Sequence, residues 1–291
     1  MNKKTLLIVC ISLLLAIALF IIVKGLQNPQ RLTIDSEQTT EKEQEDLHPD
    51  GEQDDSESED QKFISALTEA IQSTISFFAH KETNIVAIGD SLTQGVGDSQ
   101  KKGGYVGILE RTINKEDQLA HFENYGKRGD RTDQLIDRLD STEIQASIRE
   151  ADIILITIGA NDIMQVVKEN ITNLTYEQFT EARTKYESRL QSLFNKIKAL
   201  NGKAEIYLIG FYNPFAKYFP NIKELEAIAD DWNRTSEQVT EQYERVTYIP
   251  TDDLFANPDD ELYADDNFHP NDQGYEQIAQ RVLDYLTDEE R

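Results

Sequence analysis

The sequence predicts an α/β protein, a three-layer α/β/α sandwich around a sheet of five parallel strands. Two observations carry that expectation. From residue 84 onward, short β-branched apolar runs alternate with longer stretches whose apolar residues recur every three or four positions, the pattern of strands alternating with helices. Runs such as Ile153-Ile154-Leu155-Ile156 are also apolar without interruption, which suits strands covered on both faces. No internal repeat is visible, and one domain of about 230 residues accounts for the pattern.

Residues 1–26 read as a membrane signal. Lys3 and Lys4 precede an apolar run from Thr5 to Val23, which Lys24 ends. Nineteen helical residues at about 1.5 Å each approach the roughly 30 Å thickness of the hydrocarbon layer. A cleaved secretory signal has a shorter apolar core and a small-residue exit. Here the exit is Phe20-Ile21-Ile22-Val23-Lys24-Gly25, and Cys10, behind bulky Ile8 and Val9, is poorly placed for lipidation. The expectation is an uncleaved signal-anchor through residues 5–23, with a cytoplasmic amino terminus and an external domain. A cleaved signal and a secreted protein are the alternative.

Residues 27–62 read as a linker. They carry a dense acidic block from Glu41 to Asp60, few large apolar residues and no periodicity, the marks of a disordered spacer. Such a chain spans on the order of 30 Å and would hold the domain off the membrane.

The domain occupies residues 63–291. Phe63, Leu67, Ile71, Ile75 and Phe78 define an amphipathic helix over 63–80. Strands are expected at 84–88, 121–125, 152–158, 204–210 and 246–249. Helices are expected at 104–116, 131–139, 176–200, 222–243 and 271–287.

The net charge is −25, and the acidity is not confined to the linker: residues 63–291 hold 41 acids against 23 bases. Nucleic acid is excluded as a partner, because its phosphates need a basic footprint. A solvated acidic surface accounts for the charge, with a cationic partner or a salt-tolerant host as the other readings. The single cysteine excludes an internal disulfide and any cysteine-rich metal site.

Chemistry concentrates where strands end. Gly89-Asp90-Ser91-Leu92-Thr93 follows the first strand and exposes a hydroxyl at the carboxyl edge of the sheet, where open α/β sheets place ligands. A serine there needs a base. Of four histidines, His48 lies in the acidic linker, His80 ends the first helix and His121 opens a strand. His269 sits in Asp266-Asn267-Phe268-His269-Pro270, with an acid three residues before it to hold the imidazole tautomer. Gly129, after the second strand, has a backbone N–H able to face an oxyanion, and Asn161, after the third, has a neutral amide donor. Each has a plainer reading: Gly129 as a loop glycine, Asn161 as a turn former.

The ordered set Gly89-Asp90-Ser91-Leu92, Gly129, Gly159-Ala160-Asn161-Asp162 and Asp266-Asn267-Phe268-His269 resembles the four blocks of the GDSL, or SGNH, hydrolases, across roughly residues 84 to 287. The resemblance implies a flavodoxin-like fold and a serine esterase or lipase-like acylhydrolase. It implies Ser91 as nucleophile, His269 as base and Asp266, rather than Asp265, as the group that orients it. The Ser91 and Gly129 N–H groups and the Asn161 amide would form the oxyanion hole, with no metal or organic cofactor. The substrate would be a lipid or short-chain acyl ester, or alternatively an O-acetyl ester of a wall glycan. Two rivals remain in the sequence. Gly95-Val96-Gly97 is the nearest thing to a phosphate loop, though it lacks the spacing of one. A non-catalytic wall-binding module on the same fold is the other. The aromatic segment Phe211–Pro220 reads as the wall of an acyl pocket or as core packing.

Overall fold

The computed structural model of this chain describes residues 83–170, 172–213, 215, 223–257 and 261–287. The expected membrane segment at 5–23, the linker at 27–62 and the helix over 63–80 lie outside the described residues. Among the described residues, no helix is long and apolar enough to cross a membrane.

Strands β1 (Thr83–Gly89), β2 (Ala120–Gly126), β3 (Ile153–Thr157), β4 (Glu205–Ile209) and β5 (Val246–Ile249) form one sheet in the order β2-β1-β3-β4-β5. Every neighbouring pair is parallel. The chain leaves β1 for one edge and then returns to build the other, so the order reverses between β1 and β3. Doubly wound sheets bind ligands in the crevice at that reversal. The register aligns Gly126, Gly89, Thr157, Ile209 and Ile249 across the sheet. Five carboxyl ends therefore share one row, and each loop that leaves it starts from the same level.

Alternation along each strand explains the uninterrupted apolar runs. Val86, Ile88, Ile154, Ile156 and Leu208 face one core layer, and Ile85, Ala87, Ile153 and Leu155 face the other. Helices α2 (Gly104–Ile113) and α8 (Asp272–Thr287) cover the second face through residues such as Leu109, Tyr275 and Val282. The first face is covered by α3 (Thr132–Arg138), α4 (Thr142–Glu150), α5 (Ala160–Glu169), α6 (Tyr176–Leu200) and α7 (Lys223–Thr240). There Tyr186 and Trp232 stack at 4.8 Å between α6 and α7.

All five strands lie within one residue of their expected bounds. The expected helix 104–116 stops at Ile113 because Asn114 caps it: its side-chain oxygen accepts the Leu119 and Ala120 N–H groups, turning the chain into β2. Helices α4, α5 and the one-turn α1 (Ser91–Gln94), with a 3₁₀ turn at Asp253–Phe255, were not expected. Helix α4 buries only Ile144 and Ile148, too few to show a period. Helix α5 opens on an Asn-Asp pair that reads as a turn.

Candidate active site

Gly89 ends β1 with φ +150, and a Cβ there would lie 2.2 Å from the Thr157 carbonyl oxygen. Only glycine lets β1 turn this close to β3. Asp90 follows as the N-cap of α1, and its Oδ1 accepts the Leu92 N–H at 3.0 Å and the Thr157 hydroxyl at 2.8 Å. Since Thr157 donates to Asp90, it accepts from Thr93 at 2.7 Å, and Thr93 in turn accepts from Tyr105 at 3.2 Å. This buried chain holds the turn that carries Ser91. Complete burial pushes the Asp90 carboxyl up to about 6, although its hydrogen bonds oppose the shift.

The histidine comes from the other end of the chain. Tyr263 and Pro270 pair as an antiparallel bridge, closing a turn in which Asn267 takes φ +50, a conformation asparagine tolerates. Asp266 Oδ1 accepts the N–H groups of Phe268 at 3.1 Å and His269 at 2.9 Å, so it forms the turn with one oxygen. With the other it meets His269 Nδ1 at 2.6 Å. Half-burial opposes ionisation of Asp266, but the His269 ring and these N–H groups outweigh it and hold the carboxyl down to about 2. The ionised carboxylate accepts the Nδ1 proton, which leaves the Nε2 lone pair facing the Ser91 Oγ at 3.0 Å. Both Ser91 and His269 are buried.

The loop after α1 joins these two blocks. Tyr275 donates to the Val96 carbonyl at 2.7 Å, and Asp272 accepts from the Ser99 N–H at 2.8 Å and its hydroxyl at 2.5 Å. A Cβ on Gly97 would lie 2.3 Å from the Pro270 carbonyl oxygen. The Gly95-Val96-Gly97 stretch is thus packed against the histidine turn, in place of a phosphate cradle. His121 is exposed at the start of β2, opposite Asn84. His48 and His80 lie outside the described residues.

Asn161 opens α5 and lines the same cleft as Ser91 and His269. Its amide donates one N–H to the Asp130 carbonyl at 3.0 Å. Gly129, next to Asp130, is exposed with φ +84 and is not among the residues lining the cleft. The structure therefore brings Ser91, His269, Asp266 and Asn161 together, and sets Gly129 on the adjoining loop.

Sequence reasoning missed the residues that hold this loop. Arg138 binds the Asp130 carboxylate at 2.7 Å, the Tyr125 carbonyl at 2.6 Å and the Gly89 carbonyl at 3.4 Å. Asp162 accepts the Thr132 N–H at 2.9 Å and hydroxyl at 3.0 Å, with Arg189 at 3.3 Å. Burial raises its pKa despite these partners. The acids are visible beside Gly129 and Asn161 in the sequence; their partners are 8 to 30 residues distant and carry no local signal.

Asp90, Leu92, Ala160, Phe211, Tyr212 and Phe268 complete the lining of the cleft. Phe211 and Tyr212 thus belong to the cleft; most of the remaining aromatic segment lies outside the described residues. Among the described residues, no group of three or more His, Cys, Asp or Glu could hold a metal ion.

Residues 87–277 match the model of the GDSL-like lipase/acylhydrolase family. The chain is 36% identical over 209 residues to the uncharacterized protein YpmR of Bacillus subtilis, covering 70% of this chain and 82% of that one. It is 28% identical over 204 residues to the spore germination lipase LipC of Bacillus licheniformis, covering 67% and 92%. Among solved structures, the lipase Lip_vut3 from a goat rumen metagenome superposes with a TM-score of 0.61 at 25% identity, covering 69% of this chain and 95% of that one.

Proposed function

This chain belongs to the GDSL-like lipase/acylhydrolase family and is a carboxylic ester hydrolase, and from that premise we propose that Ser91, His269 and Asp266 carry its chemistry. The observation that supports the assignment is the unbroken relay from Ser91 Oγ through His269 to Asp266, at 3.0 and 2.6 Å.

Ser91 Oγ attacks the ester carbonyl as His269 Nε2 takes its proton. Asp266 stays ionised throughout and stabilises the imidazolium that forms. The carbonyl oxygen becomes an oxyanion. The second N–H of the Asn161 amide, the one not given to Asp130, donates to it, with the backbone N–H of Ser91. Collapse expels the alcohol, which receives the proton from His269, and leaves an acyl-serine. Water then enters, gives a proton to the same nitrogen as its oxygen attacks the acyl carbon, and the C–Oγ bond breaks, releasing the acid while Ser91 Oγ takes the proton back from His269. A non-catalytic wall-binding role has no need of this relay.

The substrate is an acyl ester whose acyl part meets the apolar lining of the cleft. The name of the Bacillus licheniformis relative, a lipase, supports a lipid or other acyl ester. The domain, residues 63–291, works outside the cell on an acidic spacer, residues 27–62, anchored through residues 5–23. The support for this is the apolar run without a small-residue exit. Amino-terminal sequencing of the membrane-sedimented protein tests it: an intact Met1 end supports the anchor, and a new end between Val23 and Gln30 refutes it.

Labelling the full chain with a fluorophosphonate tests the nucleophile. One adduct on the peptide bearing Ser91, with loss of ester hydrolysis, is expected. An active chain that remains unlabelled at Ser91 refutes the assignment.

A further inference from the structure

We infer that Arg138 is a positioning residue for the reaction: its guanidinium sets the Asn161 amide against Ser91 by holding the Asp130 loop, whose carbonyl that amide bonds. The inference rests on the roles given above to Ser91 and Asn161.

The Asn161 side chain makes one hydrogen bond among the described residues, from Nδ2 to the Asp130 carbonyl at 3.0 Å. The last torsion of an asparagine has broad preferences of its own, so this bond is what aims the second N–H. The aim is only as firm as the Asp130 carbonyl. That carbonyl sits on a loop whose preceding residues, Lys127, Arg128 and Gly129, are all exposed. The Asp130 N–H closes one turn on the Lys127 carbonyl at 3.2 Å. The firmer anchor is the Asp130 carboxylate, which is 2% exposed and meets Arg138 Nη1 at 2.7 Å. The ammonium of exposed Lys127 stands 3.7 Å from the other oxygen, a pairing that solvent weakens.

The same guanidinium holds the serine side. Nη1 also reaches the Gly89 carbonyl at 3.4 Å, and Nη2 donates to the Tyr125 carbonyl at 2.6 Å. Gly89 ends β1 and leads directly into Asp90-Ser91. One planar group thus spans the end of β1, the end of β2 and the Asp130 loop. Arg138 is the last residue of α3, and the first, Thr132, is bound through its N–H and hydroxyl by Asp162, the neighbour of Asn161. The helix that carries the guanidinium is therefore itself docked on the Asn161 turn. The task suits arginine alone among the cationic side chains. Its two terminal nitrogens, in a fixed fork, serve three acceptors in different directions, whereas lysine has one nitrogen and cannot span them. Arg138 does not line the cleft and touches no substrate.

The test is a double-variant cycle on p-nitrophenyl acetate with the full chain, crossing Arg138→Lys with Asn161→Ala. Lysine keeps the positive charge beside Asp130 and loses the fork, so it isolates position from charge. In the native background Arg138→Lys is expected to lower kcat by roughly 10- to 100-fold, the effect of a catalytic group misplaced by about an ångström, with KM within about twofold of native. In the Asn161→Ala background the same change should cost less than about twofold, because the amide it positions is gone. A merely structural Arg138 would lower kcat by the same factor in both backgrounds. If Arg138→Lys does not fold, as judged by far-ultraviolet circular dichroism, Arg138→Gln enters the same cycle. Native kcat in the Arg138 variant, or equal losses in the two backgrounds, overturns the inference alone. Native kcat in Asn161→Ala overturns the role of that amide at the oxyanion, and the inference with it.

Discussion

Replacing Asp266 with asparagine separates the two tasks of that residue. In the native site Oδ1 accepts two backbone N–H groups, and Oδ2 accepts the Nδ1 proton of His269. An asparagine oriented with its oxygen on the backbone N–H groups keeps the turn, and then presents its NH₂ to Nδ1. Two donors cannot face each other, so the imidazole must carry its proton on Nε2 instead. That proton points at Ser91, and the ring has no lone pair left to accept one. The positive charge formed during attack also loses its counter-charge. A carboxylate-to-amide change in a Ser–His–Asp triad costs about 10⁴ in kcat, or about 5 kcal/mol of barrier. Asp266→Asn is therefore expected to lower kcat on p-nitrophenyl acetate by about that factor while the far-ultraviolet circular dichroism is unchanged. Asp265→Asn is the control: Asp265 is exposed one position earlier, and its kcat should stay within about twofold of native. A kcat for Asp266→Asn within about tenfold of native would refute the tautomer argument, as would equal damage in the control.

Ser91→Ala should abolish turnover in a folded protein, and His269→Ala should be nearly as damaging. The double variant should be little worse, because groups acting as one unit are non-additive, and additive losses in steady-state kinetics would assign them separate roles. Asn161→Ala should lower kcat by roughly 10²–10³ with little change in KM. A melting shift with normal kcat would instead reduce Asn161 to its hydrogen bond with Asp130. Asp90 should make stability pH-dependent. Its folded pKa of about 6 lies above the ordinary 3.8, so its contribution is fully present below pH 3.8 and is lost as pH rises towards 6. Relative to Asp90→Asn, the native chain should lose stability on the order of 3 kcal/mol over that window, measured by urea unfolding; a flat difference would rule out burial of the charge.

The strands were legible because burial on both faces leaves an uninterrupted apolar run, and the turn residues that end each run are short and distinctive. The serine and histidine turns were legible for a related reason. Asp90-Ser91 and Asp266–His269 carry their local geometry within a few residues, through an N-cap and a side-chain turn. Helix α4 left too few apolar positions to reveal its period, and α5 hid behind the Asn-Asp pair that also serves the site. The aromatic segment could not be read either way, since only the packing of Phe211 against Gly159 and Asn233 puts it in the cleft.

The largest illegible part is how the blocks are tied together, and it follows one rule. Each of three site residues has a buried aspartate beside it: Asp90 before Ser91, Asp130 after Gly129, Asp162 after Asn161. None of these acids faces its own neighbour's task; each reaches into another block. Asp90 binds Thr157 at the end of β3, from which Asn161 follows. Asp130 binds Arg138, which also holds the ends of β1 and β2. Asp162 binds Thr132, which opens the helix after the Gly129 loop. The Asn161 amide closes the ring on the Asp130 carbonyl. Parallel strands bring their ends to one row but do not set the distances between the loops that leave it. Burying a carboxylate is unfavourable, as the raised pKa values of Asp90 and Asp162 show, and it is tolerated only where its hydrogen bonds are made. That cost is what makes the ties specific. A loop displaced by an ångström would leave a buried charge without a partner, so the acids hold the serine, the glycine loop and the asparagine in one arrangement before any ester arrives.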